Sequence, residues 1–149
     1  MRHVFFVLGG LLLVLGLACH AHLGVGVGVY SPGEAAYLER AMQTSLAVVV
    51  PDEKGDETWT RIKDFIGEHS TMKIQTVSDA RIETVPPAKA GEYGYSASRT
   101  ASQGSQTFTI ACLCPGSTEA DNEKARDRNA HILAHYALTG EIMPRLIAK

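Results

Sequence analysis

The sequence has no excess of positive charge. Its 149 residues carry 14 lysines and arginines against 16 aspartates and glutamates, for a formal charge of −2. With no basic face to displace phosphate counterions, nucleic-acid binding is not expected. Long apolar runs are also missing. The longest, Val4 to Ala18, has 15 residues, whereas a membrane-spanning helix needs about 20. There is no Gly-x-Ser-x-Gly elbow among the serines and threonines of 96–109. Gly24, Gly26 and Gly28 lack the phosphate-cradling fingerprint, and no strand–helix unit follows them in the right place. Repeats and family motifs are absent as well.

What is present begins at the amino terminus. Met1-Arg2-His3 is a short basic start, and the apolar run behind it reads as a secretory signal. Two processing sites compete. Gly16-Leu17-Ala18-Cys19 resembles the lipobox of bacterial lipoproteins, with a small residue before the cysteine. It departs from that pattern because Gly16 stands where leucine is usual and Leu15 sits one place early. Cys19-His20-Ala21 is a small-x-small site that would instead release a soluble chain from His22. The resemblance implies a lipid anchor on Cys19, facing the periplasm, and the expected division is signal 1–18, Gly/Val-rich tether 19–30 and one domain 31–149. Loss of Arg2 with the signal takes the formal charge to −3.

Ser31-Pro32-Gly33-Glu34 is a helix start, with serine at the N-cap, proline at N1 and glutamate closing a capping box. Leu38, Ala41, Met42, Ser45 and Val49 continue at helical spacing, so the spacing predicts a helix to about Val49, stopped by Pro51. Residues 51–57 read as a charged loop that keeps Glu53, Asp56 and Glu57 solvated. A second helix carries Trp59, Ile62, Phe65 and Ile66. Alternation then replaces helical period. Strands are expected at 72–77, 81–85, 93–100 and 106–114, with Pro86-Pro87 closing the first hairpin. A last helix opens at Thr118 with a second capping box and closes at Gly140. The expected fold is two-layer α+β, order α-α-β-β-β-β-α, with a four-stranded antiparallel sheet and the helices on one face. That order is similar to small envelope lipoproteins that assist outer-membrane assembly, and to secreted inhibitor modules.

Cys112-Leu113-Cys114 with His131 and His135 supplies the ligand types of a tetrahedral zinc site. Strand alternation turns Cys112 and Cys114 inward, while helical spacing from Asn129, Ile132, Leu133, Tyr136 and Ala137 turns both histidines outward. The expectation is a buried thiol pair, an exposed histidine pair, and neither a metal nor a cofactor. A disulfide between residues two apart on a strand would be strained. His20, His22 and the exposed pair could bind a metal ion weakly at the surface, adventitious binding being the plainer reading. Tyr93, Tyr95 and Arg99 share one side of a strand, and tyrosine with arginine is enriched in interface anchors. Packing of those tyrosines under a helix is the plainer reading. The expected role is therefore a non-catalytic exported protein that binds or assists another envelope protein through its sheet or tyrosine hairpin. The alternative is a metal- or redox-responsive periplasmic protein using the cysteines and histidines.

Overall fold

The computed structural model describes residues 30–115 and 120–147. The expected signal, Cys19 and the Thr118 capping box lie outside them, and of the tether only Tyr30 is described. The elements are α1 (Pro32–Gln43), β1 (Ala47–Pro51), α2 (Asp52–His69), β2 (Ile74–Val77), β3 (Arg81–Thr84), β4 (Gly94–Ser102), β5 (Ser105–Leu113), α3 (Ala120–Thr139) and a 3-10 turn (Pro144–Leu146). All strand pairs are antiparallel, in the order β1-β5-β4-β3-β2. The α+β class with an antiparallel sheet stands. The four-strand count and the element order do not, because a strand lies between the first two helices.

That strand has a local cause. Helix α1 ends at Gln43, and Thr44 is already extended at φ −73°, ψ 130°. The Val48-Val49-Val50 run that follows is β-branched, which costs rotamer freedom in a helix and suits a pleated surface. Val48 and Val50 turn into the core while Val49 faces out. Helical spacing had gathered Met42, Ser45 and Val49 into one stripe, yet Met42 and Val49 are exposed. The charged stretch after Pro51 is likewise no loop. Pro51 is the N-cap of α2, and Asp52 and Glu53 in the first turn complement the helix dipole.

Helix α2 lies over β1, β5 and β4, and α3 lies over β5 and β1 beside it. Helix α1 packs on α3. Their shared core holds Ile62, Phe65, Ile66, Tyr95, Phe108, Ile132 and Leu133, all at most 1% exposed. Trp59 stacks on Phe108 with centroids 6.0 Å apart. Gly104 takes φ 74° in the β4–β5 turn. Gly140 at φ 75° ends α3, its N–H donating to the Tyr136 carbonyl at 2.8 Å.

The capping box at α1 forms as the sequence predicts. The Ser31 N–H donates to Glu34 Oε2 at 2.7 Å, and the Glu34 N–H donates to Ser31 Oγ at 3.3 Å. Arg145 adds an ion pair to the same carboxylate. The Ser31 amide, then its hydroxyl, then the Arg145 charge hold the Glu34 carboxyl below its usual range. A lowered folded-state pKa gives stability that is present above the unfolded value of 4.5 and lost as pH falls through the folded one. The stability gap between wild type and Glu34→Gln should therefore be full at neutral pH and close below 4.5. Urea midpoints measured across pH 3 to 7 (roughly the carboxylate range) test this, and a pH-independent gap would refute it.

Candidate functional site

The expected Tyr93–Tyr95–Arg99 surface does not form. Tyr95 and Ala97 face the helices, and Tyr93 and Tyr95 are 6% and 0% exposed. The Tyr95 ring meets Phe65 edge-on at 5.6 Å. Its hydroxyl makes no well-aligned hydrogen bond, but the Cys112 thiol and the Asn129 amide lie close enough to act on its ionisation. Burial chiefly pushes the Tyr95 phenol upward. Arg99 marks where the helix layer ends: its guanidinium reaches out to Asp56 at 2.7 Å and sits 6.0 Å from the Phe108 ring centroid. No partner can reach the two tyrosines, because the face they share with Arg99 is the one the helices cover.

The cysteines sit as alternation predicts. Cys112 is 5% exposed and Cys114, just past the end of β5, is half-buried. Both are free thiols. Burial first, and the neighbouring Cys114 second, push the Cys112 thiol up to about 12. The Arg126 guanidinium acts weakly the other way.

The histidines correct the outward expectation. His135 is 6% exposed and His131 half-buried. Helix α3 is wedged between α1, α2 and the sheet, so Asn129, Ala130, Ile132, Leu133, Ala134, His135 and Ala137 are all buried. A single-stripe reading cannot anticipate a helix packed on several sides. His131 Nδ1 meets the Thr44 carbonyl at 2.8 Å, and His135 Nδ1 meets Thr44 Oγ1 at 3.1 Å. The His135 ring also stands edge-on to Tyr37 at 5.3 Å. Both histidines thus clamp the C-terminal end of α1, where helix carbonyls lack intrahelical partners.

On its far side, His135 Nε2 lies 3.5 Å from Glu141 Oε2 without hydrogen-bond alignment, and Glu141 Oε1 pairs with Arg40 at 2.9 Å. The Tyr37 hydroxyl donates to the Glu141 carbonyl at 3.4 Å. Thr44, Tyr37, Arg40 and Glu141 were missed from the sequence. Their only signal there was Glu141 standing just beyond Gly140, since the helical spacing placed Thr44 inside the first helix. A hydroxyl, an imidazole and a carboxylate in line suggest acid–base chemistry. Two facts oppose it: the Thr44 hydroxyl donates to the Arg40 carbonyl at 3.2 Å, and the imidazole is enclosed. The array ties the chain after α3 to α1.

Among the described residues, no group of three or more histidine, cysteine or acidic side chains is placed to hold a metal ion. The histidines meet Thr44, while Cys112 lies among Tyr95, Cys114 and Arg126, so the structure does not bring the suspected ligands together. A half-open cleft of about 250 Å³ runs between β1, the first half of α2 and the end of α3. Its charges satisfy one another: Glu57 pairs with both Lys54 and Arg61, and Arg61 also donates to the Ala137 carbonyl.

The face of the sheet opposite the helices is plain. Ser96 and Ser98 of β4 alternate with buried Tyr95 and Ala97, Thr100 lies farther along the same face, and Thr107 and Thr109 of β5 flank buried Phe108. Ser98 opposes Thr109 and Thr100 opposes Thr107, making a flat field of small hydroxyls. Arg81 and Glu83 on β3 pair at its margin, at 2.7 Å.

No family model matches this chain, and neither a curated protein nor a solved structure gives a significant match. No described helix is long and apolar enough to cross a membrane.

Proposed function

We propose that the chain is a non-catalytic exported protein of the cell envelope, held at the membrane by a lipid on Cys19 and acting there as a binding or assembly module. One observation carries the geometric half of this reading. Among the described residues, the groups that sequence and geometry singled out for acid–base or thiol chemistry are mostly enclosed or tied to one another: His135 to Thr44, Glu57 to Lys54 and Arg61, and Cys112 in the core. The domain also leaves open a strand edge and a hydroxyl surface, features suited to recognition by another polypeptide. The membrane half is supported by the basic start, the 15-residue apolar run and the small residue before Cys19.

The test is an intact mass of the protein isolated from membranes, with Cys19→Ser beside it. The expected species begins at Cys19 with an added diacylglyceryl group, and Cys19→Ser should leave the membrane fraction. An unmodified chain beginning at His22, or one retaining Met1, would overturn the anchor.

A further inference from the structure

The two edges of the sheet are not equivalent. At β1, the Ile110 N–H donates to the Leu46 carbonyl, so Leu46, Val48 and Val50 direct their backbone groups toward β5. The open side is left to Ala47, Val49 and Pro51. Ser45 Oγ already accepts from the Ala47 N–H at 3.1 Å, Pro51 has no N–H, and its carbonyl opens α2. Val49 alone keeps a free donor, so this edge is blunted.

At β2 the bonded pairs are Lys73 with Val85 (2.9 Å) and Ser78 with Arg81 (2.8 Å). Ile74 and Val77 therefore stand at non-bonded positions opposite Thr84 and Ile82, with their N–H and C=O groups aimed away from β3. A bulge between Ile74 and Thr76 makes this possible, since residues three apart would otherwise point in opposite directions. Directly opposed residues share a face, so both side chains lie on the helix side of the sheet. The helices lie chiefly over β1, β5 and β4, leaving Ile74 44% and Val77 62% exposed while Ile82 and Thr84 on β3 are buried. The strand Ile74-Gln75-Thr76-Val77 carries no charge, but exposed Lys73 precedes it and exposed Asp79 follows the next residue.

We propose that β2 is a homodimer interface, through which two copies pair antiparallel into one ten-stranded sheet. The bulge selects the occupant. An ordinary strand presents its outward groups two residues apart and can match Ile74 or Val77, not both. A second copy presents the same spacing of three. Two-fold pairing sets Ile74 against Val77 of the second copy and Val77 against its Ile74, with both apolar pairs filling the gap beyond the helix layers. It also sets Lys73 against Ser78 of the second copy at each end. The interface is short, so association is reversible, with a dissociation constant of roughly micromolar order. This contact does not depend on the lipid anchor, and Cys19→Ser protein serves equally well in the test.

Sedimentation velocity from about 1 to 300 μM should show a monomer passing to a dimer. A single monomeric species throughout would overturn the proposal. Ile74→Lys with Val77→Lys should abolish the dimer at an unchanged circular dichroism spectrum, and Val49→Lys should leave it intact. The reverse pattern would place the contact at β1 and sink the proposal. If the double lysine variant fails to fold, amide hydrogen exchange of the wild type decides. The Ile74 and Val77 amides should be protected at high concentration and lose protection on dilution. Free exchange at every concentration would overturn the interface.

Discussion

Alkylation of the native protein should mark Cys114 and spare Cys112. Cys112 is 5% exposed, and burial, followed by the nearby Cys114, raises its thiol from an ordinary value of 9.0 to about 12. The thiolate is the reacting species, so at pH 8 far less of Cys112 is in the reactive form, before access is considered. Cys114 lies past the end of the strand and is half-buried rather than enclosed. Iodoacetamide labelling followed by peptide mapping should find Cys112 modified only after unfolding. Equal native labelling of the two would refute the burial argument and revive the redox reading, which needs a thiolate that can attack. The same shift has a thermodynamic consequence. A pKa raised by folding gives stability that is complete below the unfolded value and is lost as pH climbs from 9.0 toward about 12. The Tyr93 and Tyr95 phenols, both raised chiefly by burial, act in the same direction.

Phe65→Ala should be the most damaging single truncation in the domain. Phe65 is 1% exposed and joins all three sides of the core. Its ring contacts Tyr95 on the sheet at 5.6 Å, Tyr136 on α3 at 5.9 Å and His69 on its own helix at 4.7 Å. Truncating a buried phenylalanine costs about 3–5 kcal/mol, through lost burial plus an unfilled cavity. A domain of this size has only about 5–15 kcal/mol in all. Urea unfolding should therefore show a collapse of the midpoint, or no folded baseline. By contrast, Val49→Ala, at a 59% exposed position, should stay within about 0.5 kcal/mol of wild type. A loss below about 1 kcal/mol for Phe65→Ala would mean that the three elements do not share one core.

Local chemistry alone determined much of this protein. The Ser31 capping box, the Trp59–Ile62–Phe65–Ile66 stripe, the Pro86-Pro87 stop and the glycine ending α3 each act within a few residues, so their consequences could be read from order and spacing. The inward turn of Cys112 followed from two-residue alternation in the same way. Three features were settled only by tertiary structure. Residues 47–51 became a strand because β5 offered a partner edge and the core took Val48 and Val50, against a helical spacing that happened to run on from α1. His131 and His135 turned inward because α1 lies across α3, and no periodicity within one helix announces a second neighbour. Tyr93 and Tyr95 went under the helices rather than out to a partner because a strand's period tells which residues share a face, and only packing tells which face is covered.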